Sequence, residues 1–284
     1  METSVINRAK YAIVQRLLYL KGKSIFRSER PAYTILPEDN LVSGVTNEDF
    51  WDDLMKGDGN ELLDSSKSPA KFCAAYSSSA LVVNTFGPFR HSPSDLALAD
   101  YSDFSEAQFE RKCPTGSRGR KPNLDFLVSG PKITMALESK LLEIIRTKKP
   151  AEFKESYNSV IRTNADSAWQ GMYKALLDNP TKFIHLDAAQ LVKHYLGIRN
   201  TFRDSEIPKV FVYLFWEPTN SAEIPEYQEH RKEVTLFSRA VQESGIRFMA
   251  LSYEELWQYW YKRSRWGGMS AHIEALRQRY ELSI

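Results

Sequence analysis

The chain has 284 residues, 42% hydrophobic and 26% charged, with a formal net charge of +2. These proportions describe a globular protein with a core of its own, and the near-neutral balance excludes a general nucleic-acid coat protein, so any positive charge that meets nucleic acid must be local, as in a groove. The two cysteines, Cys73 and Cys113, have no metal-site spacing and make no disulfide framework, no apolar run is long enough for a membrane-crossing helix, and the charges Arg8, Lys10 and Arg16 are not those of a signal peptide, so the expected location is the reducing cytoplasm with no membrane partner.

Along the chain, Ile6, Ala9, Ala12, Ile13, Leu17 and Leu18 recur at helical spacing and predict an amphipathic helix over 3–20. A polar stretch with Pro31 and Pro37 follows. Residues 48–56 (EDFWDDLMK) predict a short helix, broken by GDGN at 57–60, where Gly57 and Gly59 permit unusual backbone angles. From Glu61 the chain reads as helical again, with an interruption near Ser68-Pro69. Ser68 suits an N-cap and Pro69 the first turn of a helix running to about Asn84. Residues 87–123 are rich in Pro, Ser, Asp and Gly and read as a long excursion with little regular structure.

Two strands are predicted at 124–128 (LDFLV) and 133–140 (ITMALESK), joined by the turn Ser129-Gly130-Pro131-Lys132. Helical segments follow over 152–178, in two pieces, and over about 187–197, with Asp187 as N-cap and Gly197 near the end. KVFVYLFWE at 209–217 is the most apolar strand and suits a central position buried on both faces. A helix at 225–244, a strand at 248–253 and helices at 253–262 and 270–281 complete the chain. The order predicts an α/β fold with a mixed central sheet flanked by helices, in a single domain.

The hairpin carries the chemistry. Side chains alternate along a strand, so Thr134, Ala136, Glu138 and Lys140 share one face. A turn centred between Gly130 and Pro131 sets Asp125 opposite Ala136, which makes Asp125 a diagonal neighbour of Glu138, roughly 7–8 Å away at the backbone. Two carboxylates and an ammonium then converge on one side of an apolar hairpin. Two neighbouring carboxylates repel, and burial penalises both. A divalent cation resolves that conflict: Mg²⁺ is held by one or two carboxylates plus water and phosphate, and it lowers the pKa of an attacking water. Lys140 suits orienting that water or neutralising charge on the phosphate. The alternative is a solvated strand face carrying a Glu138–Lys140 ion pair.

PNLDFLV at 122–128 and ALESK at 136–140 resemble the PD-(D/E)XK nuclease superfamily, with its restriction-endonuclease-like fold of αβββαβ order. Asp125, Glu138 and Lys140 stand at the motif's acidic, acidic and Lys positions. Two residues stand between Pro122 and Asp125 here, a departure that loosens the match. The resemblance implies a Mg²⁺- or Mn²⁺-dependent nuclease with DNA, double-stranded by expectation, as its partner, and restriction-type enzymes often cut as homodimers. It also implies a Glu on the first core helix, for which Glu61 in GDGNEL is the candidate; the alternative is a helix-start carboxylate complementing the dipole. The metal ligands implied are thus Asp125, Glu138 and Glu61. Together with SSSALVVNTF at 77–86, the pattern is similar to a set of bacterial restriction endonucleases and would bring Asn84 near the site. Some branches place a Gln on the helix after the Lys strand. Gln190, with Lys193 one turn later, is favoured over Gln170, and both also read as surface residues. The resemblance covers about 57–217 and leaves the N-terminal helix and the C-terminal α/β extension unexplained.

Arg118, Arg120 and Lys121 precede the catalytic strand and suit phosphate contacts, or else a solvated loop. YWYKRSRW at 259–266 interleaves aromatics with Lys262, Arg263 and Arg265; the favoured reading is a helix that packs Trp257, Trp260 and Tyr261 into the core. No Walker loop, zinc spacing among the five His or nucleophile-elbow glycine pattern appears. Three functions remain: a restriction-type DNA endonuclease, a repair or RNA nuclease of the same fold, and a catalytically silent interaction protein.

Overall fold

The computed structural model describes residues 4–57, 61–117 and 121–284. A five-stranded mixed sheet runs in the order β1-β2-β3-β4-β5, formed by Glu106–Lys112, Asn123–Ser129, Thr134–Lys140, Lys209–Phe215 and Ile246–Ser252. β1 to β3 are antiparallel; β3, β4 and β5 are parallel. Parallel neighbours need crossovers. Helices α4 (Ser156–Asn164), α5 (Ser167–Asp178) and α6 (Ala188–Thr201) supply the first, and α7 (Pro225–Ala240) supplies the second. Because crossover helices cover its faces, β4 is apolar on both sides, and Val210 to Phe215 are all buried.

One face of the sheet meets α5, α6 and α7. Trp169 stacks on Tyr195 at 4.1 Å between centroids and turns its edge to Phe237 and Phe248. The other face meets α3 (Ser78–Phe86), α8 (Tyr253–Arg263) and α9 (Met269–Tyr280). There Phe86 stacks on Phe126 at 4.7 Å, and Tyr253 bonds Ser139. α1 (Val5–Lys21) lies against α9, where the buried Arg279 donates to the Ile13 carbonyl. β5 and the helices after it therefore belong to the same sheet and core as the hairpin.

Several expectations are corrected. Residues 61–77 contain no α-helix, only a 3-10 turn at Lys71–Cys73. The carbonyls a helix would use internally are taken elsewhere: Asn40 Nδ2 donates to Phe72 and Ala74, and Thr34 N to Cys73. The helix starts at Ser78, capped by Ser77 rather than Ser68, and Ser77 Oγ accepts from Ala80 N. Within the 87–123 excursion lies strand β1, whose charged half-exposed residues leave only Ala107 and Phe109 buried. Such a pattern protects a sheet edge and hides the strand in the sequence. Of the GDGN break, residues 58–60 lie outside the described residues.

The hairpin register is displaced by two residues. Ser129 pairs with Thr134 and Phe126 with Leu137, because the turn is closed by Gly130 N on Ile133 O. Since side chains alternate with period two, the displacement leaves every face assignment intact. Gly197 does not end α6, which runs on to Thr201; a Cβ there would stand 2.6 Å from the Cys113 carbonyl, so glycine serves close approach. In α8, Trp257 and Trp260 are core residues, but Tyr261 is 69% exposed.

Candidate active site

The pairing of β2 with β3 stops at Phe126–Leu137, and one step further the register sets Asp125 level with Glu138. There Asp125 turns its carboxylate to the other strand and accepts from Ser139 N at 2.6 Å. Glu138 and Lys140 lie on the same face, with Lys140 Nζ 2.5 Å from Glu138 Oε1. Glu138 is 2% exposed, so this is not a solvated strand face. Crossover helix α6 covers it and brings His194 Nε2 to 3.1 Å from Glu138 Oε2, without the alignment of a true hydrogen bond.

The electrostatics follow from this crowding. Burial and the neighbouring Glu138 push the Asp125 carboxyl well above the usual carboxylate range. Burial would raise Glu138 too, but His194 and Lys140 hold it down at about 2. Burial opposes the charge of Lys140, yet Glu138 and Asp125 overcome it and raise the ammonium. The strip thus holds a buried ion pair with a second carboxylate beside it.

A third carboxylate was missed from the sequence. Glu110 on β1 is level with Asp125, between the pairs Phe109–Phe126 and Arg111–Leu124, but its own φ of +50° interrupts the pairing. A non-glycine residue in that region stores strain that the surroundings must hold. Asn123 Nδ2 donates to Glu110 Oε2 at 2.8 Å, and burial, with Glu61 and Glu138 adding to it, pushes the carboxyl up to about 7. Glu110 was invisible because its strand was not recognised. His194 carried a signal: it stands four residues after Gln190, on the same helix face.

Glu61 is not on a helix, so neither the core-helix nor the helix-start reading holds. Its carboxylate lies at the rim of the strip, bonded by Lys71 Nζ at 2.9 Å and Ser79 Oγ at 3.1 Å. Ser78 Oγ donates to Glu143 Oε1 at 2.9 Å, so the start of α3 meets the turn that follows β3. Asn84 is not a site residue: it accepts from Val42 N and donates to Asn40 O and the Tyr280 hydroxyl. Gln190 is half-buried on α6, one turn before His194. Lys193 places its ammonium 5.3 Å from the Phe153 ring centre. Gln170 donates to the Ala165 carbonyl at the α4–α5 junction. Lys121 is exposed just before β2, and Arg118 and Arg120 lie outside the described residues.

Among the described residues, no three or more His, Cys, Asp or Glu side chains form a ready metal cage. The strip nevertheless suits a hard cation. Its donors are carboxylate oxygens, and Mg²⁺ needs only one or two carboxylates beside water and phosphate. No described helix is long and apolar enough to cross a membrane.

The model of the family described as Restriction Endonuclease associating with ARP matches residues 7–281. No curated protein and no solved structure matches the chain.

Proposed function

The chain belongs to the Restriction Endonuclease associating with ARP family, and from that premise we propose that it is a metal-dependent nuclease that hydrolyses phosphodiester bonds in DNA, of PD-(D/E)XK type. The observation that carries this reading is the alignment of Asp125, Glu138 and Lys140 on one covered face, with the two carboxylates in electrostatic conflict. A structural role gives no reason for that conflict; a cation site does.

Asp125 and Glu138 would hold Mg²⁺ or Mn²⁺, with Glu61 contributing through water from the rim. The ion, when bound, supplies charge that polarises the phosphate and acidifies an attacking water. Ser139 N fixes one Asp125 oxygen, which leaves the carboxylate oriented for the other. His194, packed beneath Glu138, fixes the position of that side chain and excludes water from its inner side. Lys140 gives a charge that is present at any physiological pH, suited to orienting a water or meeting charge that grows on the phosphate. Gln190, one turn before His194 on α6, would flank this group. Lys121, Arg118, Arg120 and Lys193 would contact phosphates along the strand.

The test is incubation of purified protein with supercoiled plasmid and with modified and unmodified genomic DNA, in Mg²⁺ or Mn²⁺. The controls are EDTA and a Glu138→Ala, Lys140→Ala double variant. The expected result is metal-dependent cutting that the variant lacks. No cutting, and no divalent-cation binding by calorimetry, would make the chain an interaction protein with an acidic strip.

A further inference from the structure

Beside the acidic strip lies a cavity of about 340 Å³. Glu61 and Ser79 stand at the end nearest the strip; Glu143, Lys71, Arg146, Tyr33 and Tyr76 are among the other lining residues. A second cavity of about 540 Å³ adjoins it, lined by Lys10, Tyr11, Lys23, Phe26 and Arg27 among others. Tyr76 belongs to both and divides them. Both volumes lie within the roughly 300–1,000 Å³ of pockets that hold small organic ligands.

Lys71 and Arg27 are ion-paired to Glu61 and Asp64, so the cations left facing these cavities are Lys10, Lys23 and Arg146, set among the tyrosines and the apolar Val14, Leu18 and Phe26. Tyr33 and Tyr76 meet edge to face, their centroids 6.4 Å apart at 69°. The Lys10 ammonium stands 5.0 Å from the Tyr76 centroid. Lys10 comes from α1, which carries Arg8, Lys10, Arg16 and Lys21 and no acidic residue. On a chain with a net charge of only +2, that is a local concentration of positive charge. Tyr11, at the outer cavity, is 68% exposed. Large exposed aromatics beside cations are what a sugar-phosphate chain with free bases meets: stacking on the rings and ionic contact for the phosphates.

We infer that these two cavities form a track for an unpaired stretch of DNA, running from the Glu61 end of the acidic strip past Tyr76 to α1. A duplex offers no free base face and is too wide to enter cavities of this size; an unpaired nucleotide meets both conditions. The preferred substrate is then a junction at which duplex gives way to single strand, with the cut beside the junction. The placement of the cut rests on the nuclease reading above; the track itself does not.

The experiment is fluorescence anisotropy of the full chain in EDTA, where no cutting occurs. The probes are a short labelled oligo-dT, a blunt duplex, and the same duplex with a single-stranded extension. The extended duplex is expected to bind about tenfold more tightly than the blunt one, and Tyr76→Ala to remove most of that gain, as loss of one stacked base would. Lys10→Glu should weaken oligo-dT and flatten its salt dependence. Tyr11→Ala, at an exposed position that folding does not need, should weaken oligo-dT as well. Equal binding of blunt and extended duplexes, or a gain that survives both tyrosine variants, would overturn the track. Tighter binding of an oligo-U than of oligo-dT would overturn the choice of DNA. If the track binds as expected while Mg²⁺ elicits no cutting, the nuclease reading alone fails.

Discussion

Two regions of this molecule bury carboxylates, and they treat them in opposite ways. On α7, Glu233 is 4% exposed and accepts from three successive backbone donors, Ile184 N, His185 N and Leu186 N, at 2.5, 2.8 and 2.7 Å. Its charge is spent on holding the loop that leads into α6. On the β1–β3 strip, Asp125 has one backbone donor and sits beside Glu138, with Glu110 next in line. Asp53 repeats the first pattern, gripped by Arg90 at 2.6 and 3.1 Å and by Phe109 N. A carboxylate kept for structure has its lone pairs filled; a carboxylate kept for chemistry is left in conflict until a ligand arrives.

The largest expected effect separates the two regions. Asp125→Asn keeps an acceptor for Ser139 N and removes a charge that its surroundings disfavour. Cutting should fall on the order of 10³-fold, while the melting temperature of the metal-free protein rises. An Asp125→Asn protein that cuts at the wild-type rate would put Asp125 with the structural carboxylates. Glu233→Gln should do the reverse. One amide oxygen cannot satisfy three N–H groups, so urea denaturation should show a loss of about 3 kcal/mol. Activity per folded molecule should be unchanged. Lost activity in a folded Glu233→Gln protein would mean that the α6 entry loop reaches the site.

The sequence made the conflicted region easier to read than the satisfied one. Strand alternation alone put Asp125, Glu138 and Lys140 on one face, and that survived a two-residue error in the turn because the period of a strand is two. Helix periodicity likewise placed α1 and α5 to α9, and the apolar run of β4 declared that it lies inside the sheet, covered on both faces. What failed depended on long-range partners. Nothing local in 61–77 reveals that Asn40 and Thr34 will take its carbonyls. Edge strand β1 has too few buried residues to show alternation, and Glu110 went unseen with it. Gln190 drew notice through resemblance, but it is His194, one turn on, that meets Glu138.

Glu110 permits a test of intermediate size. Its folded value is raised from 4.5 to about 7, so the native state holds a proton that the unfolded chain has lost between those values. The contribution of Glu110 to the stability of the metal-free protein should therefore fall as pH rises from about 4.5 to 7 and level off above, by roughly 3 kcal/mol at most. The raised Asp125 acts with the same sign. Glu138 acts oppositely at lower pH: held at about 2, it contributes stability above 4.5 that is lost as pH falls toward 2. His230, held at about 3 by burial, opposes Glu110, because its contribution is lost as pH falls from 6.5 toward 3, so the Glu110 contribution is read as the difference in stability in EDTA between wild type and Glu110→Gln. That difference should shift in favour of the variant as pH rises from 4.5 to 7; a difference that does not change with pH would show that Glu110 is not buried among like charges.

The smallest effect tests the same conflict from the ligand's side. A cation that binds only the folded strip adds RT ln(1 + [L]/Kd), about 1.4 kcal/mol at ten times Kd. For a chain of this size that is a few degrees of melting temperature. The increment should be larger at pH 8 than at pH 5, because Asp125 and Glu110 must lose their protons before they favour a cation, so metal binding and proton release are linked. Asp125→Asn should abolish the increment, and Glu233→Gln should keep it in full despite a lower starting point. If Mg²⁺ raises both variants alike, the ion binds elsewhere, and the carboxylates of the strip would have to be explained, like Glu233 and Asp53, by what they hold in place.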